Sequence, residues 1–102
     1  MIRETIYFKL RLGPETNKFF AALKEVQRMM TELGVEPGRR WNNVTGDGRW
    51  VMIEREFDSL AAYEEDDHNF HAGEDFMNKW REMESYADQL RVELWQSPSP
   101  PT

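Results

Sequence analysis

Residues 50–63, Trp50-Val51-Met52-Ile53-Glu54-Arg55-Glu56-Phe57-Asp58-Ser59-Leu60-Ala61-Ala62-Tyr63, change hydrophobic period part-way through. Up to Phe57 the pattern has a period of two. Val51, Ile53 and Phe57 share one parity and Trp50, Met52, Glu54 and Glu56 the other, which is a strand with one face toward a core. Arg55 stands in the apolar set as an intruder. Asp58 and Ser59 then offer side-chain oxygens to the free N–H groups of a first helical turn, so Leu60-Ala61-Ala62-Tyr63 reads as a helix start. A strand therefore passes directly into a helix here, and the rest of the chain can be placed around that joint.

Upstream, Gly46-Asp47-Gly48 separates this strand from residues 38–45 (GRRWNNVT), and Asp-Gly between two strand-like runs marks a hairpin. The faces of residues 38–45 are ambiguous. Before them, Phe19, Ala22, Leu23, Val26, Met30 and Leu33 recur every three or four positions, the stripe of a helix over 15–33 that stops at Gly34. Residues 2–12 form the first strand, with Ile2, Ile6, Phe8, Leu10 and Leu12 on one parity and Arg3, Thr5, Tyr7, Lys9 and Arg11 on the other; Glu4 breaks the apolar set. Downstream, a helix break falls within His68–Gly73, and a second helix spans 74–85 with Phe76, Met77, Trp80 and Met83 inward. The last strand is Gln89–Gln96, with Val92 and Leu94 on the core side and Arg91, Glu93 and Trp95 on the other. The order β-α-β-β-α-β predicts an α+β, ferredoxin-like fold, an antiparallel sheet with helices on one face. Residues 1–96 make a single domain, and the Pro/Ser tail, residues 97–102, is expected to be disordered.

Composition narrows the function. The 102-residue chain has 13 basic and 19 acidic side chains and a net charge of −6, which disfavours phosphate-backbone contact and predicts no nucleic-acid partner. Without cysteine there is no disulfide, no thiolate nucleophile and no Cys-based metal site. No stretch approaches the about 20 apolar residues of a membrane span, and the N-terminus lacks the apolar core of a secretory signal, so the expected location is the cytoplasm. The charge is uneven: residues 54–88 hold 12 acidic and 3 basic side chains, while the remainder is net positive.

The uncovered sheet face is the informative surface. It carries Tyr7, Trp50 and Trp95 among Arg3, Lys9, Glu54, Glu56, Arg91 and Glu93. A face left to water should be small and polar, and large aromatics there predict that something packs on it. The expected partner is a second copy, giving a homodimer through the sheet faces with Glu54, Glu56 and Glu93 neutralising Arg3, Lys9 and Arg91. A small planar ligand held between the two sheets is compatible with the same residues.

The joint at residues 51–64 (VMIEREFDSLAAYE) and the whole element order resemble the dimeric α/β-barrel superfamily. Within it, the C-terminal Glu93-Leu94-Trp95 is similar to the strand that closes small NIPSNAP-type proteins. That superfamily contains cofactor-free monooxygenases, heme-degrading enzymes, lactone isomerases and ligand-sensing domains. Its heme-degrading members carry an Asn on the first strand that this chain lacks, so no heme residue is carried over.

Two functions follow as expectations. One is an enzyme without cofactor or metal, an oxygenase or isomerase acting on a planar compound. Its candidate catalytic residues are Tyr7, Glu54, His68 and His71, and its candidate substrate-binding residues are Arg3, Lys9, Trp41, Trp50 and Trp95. The alternative is a ligand-binding or accessory domain without catalysis. The cluster Glu64-Glu65-Asp66-Asp67-His68-Asn69-Phe70-His71 matches no zinc signature and reads as a solvated acidic helix end. Ser59 reads as a helix cap, and the glycines form no phosphate cradle.

Overall fold

The computed structural model describes residues 1–98; positions 99–102, most of the proline-rich tail, lie outside the described residues. Seven elements follow one another: β1 (Ile2–Leu10), α1 (Glu15–Glu32), β2 (Arg39–Asn42), β3 (Trp50–Phe57), α2 (Leu60–Ala72), α3 (Glu74–Ser85) and β4 (Ala87–Gln96). The strands make one antiparallel sheet in the order β2-β3-β1-β4. This is the ferredoxin-like arrangement, with its second crossover made of two helices.

The core lies between one sheet face and the helices. Phe19, Ala22, Leu23, Val26 and Met30 line the inner face of α1, and Phe76, Trp80 and Met83 that of α3. Phe8 reaches up from β1 to both, its ring 5.1 Å from Phe19 and 6.0 Å from Trp80. Phe70 extends the aromatic cluster, 4.9 Å from Phe76 and 5.0 Å from Trp80. Helix α2 contributes little else that is apolar: its buried residues are Asp66 and Phe70.

The structure departs from the sequence reading at several boundaries. β1 ends at Leu10, where the register against β4 shifts, and Leu12 is 79% exposed rather than in the core. β2 is only four residues long, and its pairing settles the ambiguous faces: Arg39 opposite Glu54 and Trp41 opposite Met52 lie on the open side, while Arg40 and Asn42 lie on the helix side. α2 runs through His68 and His71 and yields only at Gly73, whose extended backbone separates it from α3. Ser59 is the cap, its Oγ accepting the Ala62 N–H at 3.1 Å. Val92 and Leu94 do sit on the helix side, opposite Ile6 and Glu4, yet each is 51% exposed because β4 is an edge strand that the helices leave uncovered. Ser97 extends the pairing of β4 past Gln96, its N–H donating to the Met1 carbonyl at 3.0 Å.

One turn is built for glycine alone. Gly38 has φ +76°, and a Cβ there would stand 2.5 Å from the Glu54 carbonyl oxygen and 2.8 Å from Arg55 Cγ. Gly38→Ala is expected to cost about 2–4 kcal/mol, backbone strain plus overpacking. Gly48 has φ +68° with open space around it, so Gly48→Ala carries only the strain, about 1–2 kcal/mol. Urea midpoints of the two variants separate the terms; equal losses would show that the close approach at Gly38 contributes nothing.

Candidate functional site

The two residues that interrupt the apolar parities, Glu4 in β1 and Arg55 in β3, are direct cross-strand partners on the helix side of the sheet. Arg55 is 2% exposed and Glu4 5%. Burying such charges costs several kcal/mol per ion unless hydrogen bonds replace the lost water. Here they do. Arg55 Nε donates to Glu4 Oε1 at 2.7 Å, and Nη1 donates to Asp66 Oδ1 at 2.7 Å and to the Glu36 carbonyl at 3.1 Å. The other Asp66 oxygen accepts the Glu36 N–H at 2.8 Å, and Glu4 Oε2 accepts the Tyr63 hydroxyl at 3.0 Å. The guanidinium also lies over the rings of Phe57 and Phe70, at 5.2 and 5.7 Å. The network ties β1, β3, α2 and the loop before β2 together, supplying by polar contact what α2 lacks in apolar surface.

Electrostatics fix the protonation of this group. Burial opposes the charge on Arg55, but its hydrogen bond to Glu4 and the fields of Glu4 and Asp66 outweigh that and raise its pKa. Burial is also the main cause that lifts the Tyr63 phenol to about 12, followed by the negative field of Glu4. Tyr63 is therefore a fixed donor and not a base. Between its ordinary value of 10.0 and about 12 the unfolded chain loses this proton first, so stability present below pH 10 falls as pH rises through that window. Tyr63→Phe should flatten this alkaline slope in urea midpoints measured from pH 9 upward, and should remove the latest phase of phenolate absorbance. A slope unchanged in the variant would count against the assignment.

Above the network a cleft of about 240 Å³ opens between α2, α3 and the strands β1 and β4. Ile6, Leu90 and Val92 form its strand wall, and Phe70 and Trp80 its helix wall. Glu4, Arg55 and Tyr63 make the floor, with Asp67, His71 and Glu84 around them. The Trp80 indole N–H donates to the Glu84 carboxylate. His71 Nδ1 lies 2.8 Å from the Asp67 backbone carbonyl. A carbonyl only accepts, so Nδ1 carries the hydrogen, and in the neutral ring Nε2 is the proton acceptor.

The opposite, open sheet face gathers most of the residues singled out from the sequence. Glu54 lies between Arg39 (2.7 Å) and Arg3 (3.7 Å), and Arg3 also pairs with Glu56 at 2.9 Å. Tyr7 lies under the Arg91 guanidinium at 4.4 Å, Trp50 beside Lys9 Nζ at 5.9 Å, and Trp41 under Arg39 at 5.3 Å. Trp95 Nε1 donates to Thr5 Oγ1 at 3.2 Å.

No family model and no curated protein matches the sequence. Solved structures do match. A NIPSNAP domain protein from Burkholderia xenovorans superposes with a TM-score of 0.77 at 12% identity, over 97% of this chain and 96% of its own. A NIPSNAP family protein from Agrobacterium tumefaciens gives 0.73 at 13% identity, over 95% and 92%. An antibiotic biosynthesis monooxygenase gives 0.69 at 14%, over 97% and 100%. The chain has the ferredoxin-like fold that these proteins share.

Within this fold, the sheet divides the sequence-derived candidates. Tyr7, Glu54, Arg3, Lys9, Trp41, Trp50 and Trp95 share the open face, whereas His68 and His71 ride on α2 on the other side. One bound molecule cannot reach both sets. Glu54 is neutralised by two arginines, which argues against its role as a proton carrier. Lys9 meets the Trp50 ring rather than a carboxylate, while Arg91 pairs with Glu93 at 3.1 Å. His68 is exposed outside the cleft, and His71 alone of the candidates lines it. Among the described residues, no three His, Asp or Glu side chains converge as a metal ion would require, and no helix is long and apolar enough to cross a membrane.

Sequence reasoning missed Glu4, Arg55, Tyr63 and Trp80 as site residues. The signal for the first two was present: opposite charges, each breaking an apolar parity, on strands that this topology makes neighbours.

Proposed function

We propose that the protein is an enzyme that binds a small planar molecule in the cleft between α2, α3, β1 and β4 and moves a proton on it. The observation that carries this is the cleft's composition: a strand wall left bare by the helices, an aromatic wall facing it, and an imidazole between them with its Nε2 free to accept. In this reading His71 takes a proton from an acidic position of the bound ring. The resulting electron-rich species is either reprotonated at another position, an isomerisation, or gives an electron to dioxygen, after which the substrate radical and superoxide join in a C–O bond and the protonated peroxide loses water to leave a carbonyl, an oxygenation. Tyr63 remains neutral and fixes the substrate by hydrogen bonding. The likeness of fold to an antibiotic biosynthesis monooxygenase supports the oxygenase branch.

The probe is 1-naphthylmethanol, a neutral bicyclic alcohol, titrated into isotopically labelled protein. Amide shifts should concentrate at Phe70, His71, Trp80, Leu90 and Val92. Shifts centred on Tyr7 and Trp50 would move the site to the open face and overturn the reading.

A second reading, a carrier that binds without turnover, is favoured by the locked floor: Glu4 is bonded to both Arg55 and Tyr63 and offers no free base. Binding without any proton-transfer activity would select it.

We also propose that the open face packs on a second copy, covering Trp41 and Trp95. Sedimentation should give twice the 12.2 kDa chain mass, and Trp95→Glu should shift it toward the monomer. A monomeric wild type would exclude this partner.

A further inference from the structure

We infer that the cleft selects a planar organic cation, an aromatic ring bearing a protonated amine. This rests on the cleft reading above and specifies its ligand class. Of the ionised groups that line the cleft, Glu4, Asp67 and Glu84 are negative and Arg55 alone is a fixed positive charge. That charge is already divided between Glu4 and Asp66, which stands behind it. Among the described residues neither Asp67 nor Glu84 is paired with a lysine or arginine; Asp67 meets only the His71 ring, at 3.5 Å. The cations of α3 are engaged elsewhere, Lys79 with Glu82 at 2.7 Å and Arg81 with Asn78 at 3.3 Å.

The walls agree with the charges. Phe70, Trp80 and Tyr63 present aromatic rings, whose electron-rich faces attract an ammonium group and repel a carboxylate. A bound anion would have to shed water beside Glu4, Asp67 and Glu84 with no free cation to receive it.

Three probes of similar size test this by calorimetry on the full chain at low salt: 1-naphthylmethylammonium, 1-naphthylmethanol and 1-naphthoate. The ammonium should bind about tenfold more tightly than the alcohol, and the carboxylate at least about tenfold more weakly. In the double variant Asp67→Asn/Glu84→Gln the ammonium advantage should shrink to about twofold or less, with the alcohol affinity unchanged. Glu64→Gln/Glu65→Gln removes the same amount of charge from exposed positions of α2 that do not line the cleft, and should preserve the advantage. Equal affinities for ammonium and alcohol, tighter binding of the carboxylate, or an equal loss in both double variants would overturn the charge inference and leave the cleft reading standing. Failure of all three probes to bind would overturn both.

Discussion

Arg55→Ala should lower the folding free energy by about 3–5 kcal/mol, the loss expected when one partner of a buried ion pair is removed and the others remain charged. Glu4 and Asp66 would each keep a desolvated carboxylate, and the Glu36 carbonyl would lose a donor. Against a total stability of about 5–15 kcal/mol for a domain of ordinary size, this is a large fraction. A urea titration should show a much lower midpoint with an unchanged slope. The triple variant Glu4→Gln/Arg55→Met/Asp66→Asn, which removes every charge at once, should recover a substantial part of the loss, because the cost lies in the unpaired ions. A loss below about 1 kcal/mol for Arg55→Ala would mean that water reaches the carboxylates, and that the network does not hold α2 on the sheet.

His71→Asn should leave that stability nearly intact and act on rate instead. The ring is exposed, and its polar contacts are with Asp67, one turn earlier in its own helix: the backbone carbonyl at 2.8 Å and the carboxylate at 3.5 Å. With 5-nitrobenzisoxazole, a planar reporter whose ring opens when a base removes one C–H proton, the variant should lose about 10²-fold in kcat/KM, the lower range for a positioned general base. Affinity for 1-naphthylmethanol should stay the same, since asparagine keeps a polar group of similar reach. An unchanged rate would remove His71 from the mechanism. A wild-type rate no higher than that of free imidazole at equal concentration would select the carrier reading.

The fold was legible because most elements announce themselves locally. The alternation in residues 2–10 and 50–57, the stripe from Phe19 to Met30 and the serine before Leu60 each depend on neighbours within one or two turns. What could not be read locally was anything set by pairing or coverage. The faces of β2 depend on Trp41 meeting Met52, a register fact. The exposure of Val92 and Leu94 depends on β4 lying at the sheet edge, where the helices do not close over it. The candidate site suffered most. Aromatic and charged residues on the open face drew attention because they are conspicuous in sequence, whereas the cleft is assembled from residues scattered over β1, β3, α2, α3 and β4 that only the tertiary packing brings together. The break expected within His68–Gly73 falls at the far end of that range: no glycine or proline interrupts the helix before Gly73, and Phe70 anchors that turn in the core.

The Glu4–Arg55 pair also acts as a check on strand registration during folding. Side chains alternate faces along a strand, so a slip of β1 by one residue against β3 would turn Glu4 out to the open side and bring Arg3 or Thr5 beneath the helices. Arg55 would then be enclosed without its strongest partner, and such a misaligned strand pair would be rejected far more sharply than one in which isoleucine merely replaces phenylalanine. The partners lie 51, 19 and 11 residues from Arg55 along the chain, so the complete set exists only when two strands, a loop and a helix have arrived together. A chain this short, with an apolar stripe on β4 still uncovered, gains from that all-or-none condition: half-assembled forms, the ones prone to stick to one another, are the ones the buried charges make least stable.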